Sequence, residues 1–254
     1  MIQIERFDRI LEIVDQRGYV SVNELEKILD VSRATIYRDL KDLNIQGKLN
    51  VTRGGVSKIN QGSSFEMPYY EKKSHNTEEK IRIAKTALGF INTNQTIFMD
   101  SSTTVTEMTS FMNDYKDIQV ITNDLKIASN LSGAKNMQVI IAGGVLRHGF
   151  YTVSGFLTEQ NLNSLRVDIS FMSFDAISLD GGCMITNMEE VSIKNLGIKK
   201  ARQKILLCDH SKFEKNAFAS VCGLKDIDII ITGKELDENI YKEYIENEIN
   251  IIRV

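Results

Sequence analysis

Ser32-Arg33-Ala34-Thr35-Ile36-Tyr37-Arg38-Asp39-Leu40-Lys41-Asp42-Leu43 places Ile36, Leu40 and Leu43 at i, i+4 and i+7, one apolar stripe of a helix. At about 100° per residue, Ala34, Tyr37, Arg38 and Lys41 face the other way, with Arg33 beside them on the first turn. The outward face therefore carries small, aromatic and basic groups. A helix lying in the DNA major groove needs that set: short side chains for close approach, Arg and Tyr to reach base edges and phosphates. Ser32 caps this helix, and Thr35 is placed for a phosphate contact.

Working outward, Phe7, Ile10, Leu11 and Val14 define a first helix that ends near Gly18. Ser21 and Glu24 form a capping box for a second helix, expected to bury Leu25, Ile28 and Leu29, and Asp30-Val31 makes the turn into the third. Beyond Gly47, Lys48 to Lys58 alternates around Arg53-Gly54-Gly55 and reads as a β-hairpin wing, with Arg53 near its tip. A plain three-helix packing module would explain the amphipathic helices alone. It would not explain the capped short helix, tight turn, basic outer face and hairpin together.

Charge supports the same division. Residues 1–32 carry four basic and seven acidic side chains, whereas 33–58 carry six basic and two acidic. The whole chain is acidic, at net −3 and pI about 5.8, so it is no general polyanion binder. A short basic segment in such a chain is the footprint of local phosphate-backbone contact. At 254 residues, 42% apolar and 26% charged, the chain has the composition of a protein with a real core rather than a disordered one. The opening MIQIERFDRI has no signal-peptide core, and no apolar run approaches the ~18 residues of a bilayer span. Cys183, Cys208 and Cys222 lack CxxC spacing and read as free, unreactive thiols; with His75, His148 and His210 scattered, no metal site is expected. The expected location is cytoplasmic, with no membrane partner.

Pro68, the single proline, lies in a Gly/Ser/Asn/Gln-rich stretch. The expected organisation is thus a winged helix-turn-helix at 1–58, a linker at 59–72 and an α/β domain at 73–254. From Thr77, which is expected to cap a helix, strands and helices alternate. Strands fall at 96–100, 119–122, 138–142, 168–172, 204–208, 227–231 and 249–254, and helices at 124–132, 156–165, 188–202 and 237–247. Continuous apolar strands alternating with helices mean a mostly parallel sheet covered on both faces. Ligands bind such sheets beyond the carboxyl ends of the strands. Asp100-Ser101-Ser102-Thr103-Thr104 follows one strand and opens a helix, a place suited to an anion, although capping explains such a run as well. Asn123, Gly143-Gly144, Asp175 and Asp209-His210-Ser211-Lys212 occupy equivalent strand ends.

Val31 to Leu40 with Thr52-Arg53-Gly54-Gly55-Val56 resembles the DNA-binding end of DeoR-family bacterial transcription regulators. Phe98 to Thr104, Val120 to Asn123, Ala142 to Gly144, Asn187 to Glu190 and Asp209 to Phe213 match that family's effector domain in order. The resemblance implies a winged helix joined to a domain similar to ribose-5-phosphate isomerase. It also implies repression of a sugar or nucleoside catabolism operon, relieved by a phosphorylated sugar. On that reading Asp100 to Thr104 hold the effector phosphate, and Asn123, Gly143, Asp175, Glu190 and Lys212 its sugar portion. Double-stranded operator DNA is the macromolecular partner, and a homodimer or homotetramer is expected because one recognition helix covers only a half-site. This sequence has Ser102 where the family commonly has glycine, Tyr37 where it has a basic residue, and Ser173 and Ala176 where it has glycines. The rival reading is a phosphosugar isomerase, since Asp175, Glu190 and Lys212 are residue types that shuttle protons beside a carbonyl. An isomerase, however, has no need of the first 58 residues.

Overall fold

The computed structural model describes residues 2–52, 54–57 and 62–254. The chain forms two compact units, Met1–Gly62 and Ser63–Val254.

In the first unit, helix α1 (Gln3–Arg17) ends at Gly18, whose φ of 71° is left-handed backbone that suits glycine. Strand β1 (Tyr19–Ser21) leads into α2 (Val22–Leu29), where Ser21 Oγ accepts from Glu24 N and the Glu24 carboxylate accepts from Ser21 N. Asp30, at φ 51°, turns the chain into α3 (Arg33–Ile45), capped by Ser32. A short hairpin of β2 (Asn50–Thr52) and β3 (Gly55–Ser57) follows, and β1 joins it in the order β1-β3-β2. Ile10, Val14, Leu25, Ile36, Leu40, Leu43 and Val56 make one core. Ile28, expected in it, is instead 40% exposed. The buried stripe of α2 runs Val22, Leu25, Leu29, and Ile28 lies about 100° round from Leu29.

The second unit contains α4 (Tyr69–Ser74), α5 (Thr77–Leu88), β4 (Thr96–Met99), α6 (Thr103–Met108), β5 (Ile118–Thr122), α7 (Leu125–Leu131) and β6 (Met137–Ile141). It continues with β7 (Val145–Leu146), β8 (Val153–Ser154), α8 (Phe156–Asn163), β9 (Val167–Met172), β10 (Ala176–Ser178), β11 (Gly182–Ile185) and α9 (Val191–Lys200). The remainder is β12 (Ala201–Leu207), β13 (Ala219–Cys222), β14 (Ile229–Thr232), α10 (Glu238–Glu246) and β15 (Ile251–Arg253). All seven strands expected from the apolar runs enter one sheet, ordered β15-β14-β12-β9-β4-β5-β6, and every pairing in it is parallel. Side chains alternate across it: Ile97 and Met99 pack with α5, α6 and α7, whereas Phe98 packs with Leu162 of α8 and Ile193 of α9.

Three features differ from expectation. The stretch 59–72, expected to link the two parts, is helical from Tyr69, whose buried ring meets Tyr151 edge-on at 4.7 Å. Thr77 is the first helical residue of α5 rather than its cap, which is Asn76 in left-handed conformation. A small antiparallel sheet, β10-β11-β13, and the β7-β8 hairpin are additions. Their strands of two to four residues are too short to show a period in sequence.

Gly197, inside α9, is a contact requirement. A Cβ there would lie 2.8 Å and 3.1 Å from carbons of the buried Phe98 ring. Glycine to alanine in a helix ordinarily stabilises by up to about 1 kcal/mol. Here Gly197→Ala is expected to destabilise by about 1–3 kcal/mol through overpacking, read as a lowered thermal midpoint by circular dichroism. A raised midpoint would contradict the close approach of α9 to β4.

Candidate functional site

The outward face of α3 presents Arg33, Ala34, Tyr37, Arg38 and Lys41 to solvent, as the helical period requires. Arg33 lies over the Tyr37 ring, 5.8 Å from its centroid, so two of the expected DNA contacts already brace each other. Ser32 Oγ accepts from Thr35 N and lies 2.9 Å from Thr35 Oγ1. Arg53 lies outside the described residues. The inward face holds Asp39, fully buried, whose carboxylate accepts from Arg6 Nε at 2.7 Å and Nη2 at 3.0 Å. This two-pronged bond ties the exposed helix to α1.

In the second unit the expected residues sit at carboxyl ends of adjacent sheet strands: 100–104 after β4, Asn123 after β5, Gly143 after β6, Asp175 after β9 and Lys212 after β12. Glu190 immediately precedes α9. Asp100 is buried and paired with Lys194 at 2.5 Å, and it also accepts from Ser173 N at 3.3 Å. Lys194 in turn donates to Ser173 O at 2.8 Å. Burial opposes the Lys194 ammonium, yet Asp100 and Glu190 outweigh it and raise its pKa.

The loop after β4 is knitted into its surroundings. Ser101 Oγ donates to Asp124 Oδ2 at 2.7 Å and lies 2.6 Å from Thr152 Oγ1. Burial pushes the Asp124 carboxyl up, against the hydrogen bonds it accepts from the Ile127 amide, Ser101 and the Lys126 amide. Ser102, at φ −165°, is extended backbone open to any residue, and its hydroxyl accepts from Thr104 N and Val105 N to cap α6. The serine that replaces the family's usual glycine is thus unstrained. Thr103 is half-buried and Thr104 buried. Asn123 is buried and donates to Val153 O, while its Oδ1 has no partner. Gly143 contributes its carbonyl to Thr158 and Asn161, but the steric demand falls on Gly144, where a Cβ would lie 2.1 Å from Thr158 Oγ1.

Asp175 accepts from Lys72 Nζ at 2.7 Å and Thr186 N at 2.9 Å. Although burial opposes it, Lys72 and Lys212 hold the Asp175 carboxyl well below the usual carboxylate range. Glu190 is bonded by Arg147 at 2.7 Å; burial raises its pKa, assisted by the like charges of Asp100 and Glu66. Lys72, Arg147, Asp124, Thr152 and Lys194 were not anticipated. Only Lys194 left a trace in the sequence, as the i+4 partner of Glu190. One grouping among the described residues has metal-ligand geometry, Glu79, Asp209 and His210. Both Glu79 oxygens are engaged, by the His210 and Gly233 amides and the His210 ring, and Asp209 Oδ1 accepts from Asn76 and Ser211. A depression of about 300 Å³ lined by Arg166, Asp168, Lys199 and Arg202 lies at the amino ends of β9 and β12, away from these residues.

A winged helix-turn-helix in one chain with a parallel α/β unit whose strand ends converge on polar groups defines a DNA-binding regulator with a sensing domain. Profiles of the DeoR-like helix-turn-helix domain and the DeoR C terminal sensor domain match residues 6–62 and 75–234. The glycerol-3-phosphate regulon repressor of Escherichia coli is 32% identical, with 91% of each chain covered. The lactose phosphotransferase system repressor of Staphylococcus epidermidis is 32% identical over 99% of this chain and all of that one. The HTH-type transcriptional regulator GolR of Listeria innocua is 30% identical over 96% of each. A ribose-5-phosphate isomerase structure in complex with phospho-erythronic acid superposes with TM-score 0.41 at 14% identity, covering 54% of each chain. The chain belongs to the DeoR family of transcriptional regulators, DNA-binding proteins with a sensor domain on the same chain. Among the described residues no helix is long and apolar enough to cross a membrane.

The Asp100–Lys194 pair makes a quantitative demand. Lys194→Ala leaves a buried carboxylate unpaired and is expected to cost about 3–5 kcal/mol, whereas Asp100→Asn with Lys194→Met should recover much of that loss. Urea unfolding followed by far-ultraviolet circular dichroism checks it. Equal losses in the single and double variants would show that the unpaired Asp100 carboxylate carries no penalty of its own.

Proposed function

We propose that this protein is a repressor of a carbohydrate operon, released from its operator by a phosphorylated sugar bound at the strand ends of the second unit. The observation that carries the reading is the exposed basic and aromatic face of α3, held from behind by Asp39 and Arg6. Arg33, Tyr37 and Arg38 read or position on DNA, with Ser32, Ala34, Thr35 and Lys41 around them and Arg53 adding a wing contact. In the second unit, the half-buried Thr103 and the backbone after Asp100 take the phosphate, and the unpartnered Asn123 Oδ1 accepts a sugar hydroxyl. Gly143, Asp175, Glu190 and Lys212 surround the sugar. The names of the relatives, repressors of a glycerol-3-phosphate regulon and of a lactose phosphotransferase system, support this ligand class. The protein works as a homo-oligomer in the cytoplasm, two recognition helices meeting two half-sites.

Catalysis is not part of this reading. Asp175, the residue type an isomerase would use as base, is a carboxylate locked by Lys72 and the Thr186 amide. Effector and operator oppose each other through a coupling of roughly 1–3 kcal/mol.

Fluorescence anisotropy with DNA from upstream of the gene, against a shuffled fragment at fixed salt, tests the first half. Binding at least ~10³-fold tighter to the native fragment is expected; equal binding would reduce α3 to a nonspecific basic face. Arg38→Ala should weaken binding and lower the salt slope by about 1. In the same assay Thr103→Val should blunt release by sugar phosphates while leaving operator affinity alone. Full release in that variant would remove Thr103 from the phosphate site.

A further inference from the structure

Glu66 lies four residues beyond Gly62, the last residue of the first unit. Its carboxylate sits between two cations: Lys72 Nζ is 3.0 Å from Oε1, and the Arg147 guanidinium binds both oxygens. The same cations hold the two carboxylates of the sensor site, Lys72 on Asp175 and Arg147 on Glu190, each at 2.7 Å. The side chains of all five residues are 12–21% exposed. The Phe150 ring lies 4.0 Å from the Arg147 guanidinium and 5.9 Å from Lys72 Nζ. Arg147 is also joined to the loop after β4, because its backbone N donates to Thr152 O and the Thr152 hydroxyl meets Ser101.

Lys72 and Arg147 each bridge Glu66 to a second carboxylate, and those two, Asp175 and Glu190, have a further cation beside them in Lys212 and Lys194. Of the three carboxylates, Glu66 is the one that comes from the segment leading out of the DNA-binding unit, which also carries Lys72, whereas Asp175 and Glu190 are rooted beside β9 and α9. A phosphate or carboxylate group would find in Lys72 and Arg147 the donors that Glu66 now uses: a point charge and a planar fork, both desolvated.

We infer that Lys72 and Arg147 form a second anion subsite of the sensor pocket, beside the phosphate place after β4, and that Glu66 fills it as an internal stand-in until a further anionic group of the ligand displaces it. Expulsion of Glu66 frees the segment that follows Gly62, so occupancy of the pocket is reported directly to the chain entering the DNA-binding unit. The inference rests on the reading that this site binds sugar phosphates, and it adds the residues through which binding acts.

Glu66→Gln is the sharpest test, because each cation keeps its other carboxylate and the fold should survive. Calorimetric titration of the full-length protein would use glycerol 3-phosphate, fructose 6-phosphate and fructose 1,6-bisphosphate, with glycerol and fructose as neutral controls. Expected is a tenfold or greater fall in Kd for at least one phosphorylated probe in Glu66→Gln, with the neutral controls unaffected. Independently of any variant, amide hydrogen exchange across residues 63–72 of the native protein should speed up when that probe binds. Native protein that binds a probe while Glu66→Gln binds it no tighter, with exchange at 63–72 unchanged, would overturn the role of Glu66 alone. If no phosphorylated probe binds native protein or variant, the sugar-phosphate reading of the site fails, and this inference with it.

Discussion

Asp100 and Lys194 meet 2.5 Å apart in the interior of the second unit, and the arrangement around the strand ends follows from that contact. Removing two charges from water costs several kcal/mol per ion and is offset only when geometry and the remaining hydrogen bonds are good. Here Ser173 supplies both, its amide to the carboxylate and its carbonyl to the ammonium. The pair therefore fixes three things at once: the end of β4, the end of β9 and the first turn of α9. Glu190 and Asp175 are held on either side as a result. Gly197, one turn on, lets α9 lie against Phe98 closely enough for Lys194 to reach.

A second pair has the same logic on a smaller scale. Asp39 is on the recognition helix but faces inward, and Arg6 reaches it across the core of the first unit. A buried acid on a helix whose outer face is basic separates the two electrostatic tasks. One side anchors the helix, and the charged groups on the other, Arg33, Arg38 and Lys41, are all basic. Arg33 lies over the Tyr37 ring, so these two exposed side chains have fewer rotations left to lose to any ligand of this face.

The inner strands of the large sheet were legible because both of their faces are buried, which makes them continuous apolar runs such as Ile229 to Ile231. Helix starts were legible where a side chain does the capping, as at Ser21 and Ser32, and not where backbone geometry does, as at Asn76. The strand-end residues were placed correctly along the chain, but their partners were hidden. Lys194 is 94 residues from Asp100, Lys72 is 103 from Asp175 and Arg147 is 43 from Glu190. Nothing local marks such pairs. Ile28 was misplaced because an eight-residue helix defines its buried stripe poorly from period alone.

The strand order has a further consequence, in time rather than in space. The winged unit closes within the first 62 residues, so none of its contacts spans more than that length of chain. By contrast β4 stands mid-sheet beside β9, whose pairing brings Ile97 against Ile169. During synthesis at about 5–20 residues per second, Asp100 precedes Lys194 by roughly 5–20 s. One edge of β4 waits for β9, complete only at Met172, and Asp100 waits longer still, for Lys194. The reading head is thus complete well before the unit that controls it, so a chain truncated in its second half would carry a finished DNA-binding module with no regulator attached.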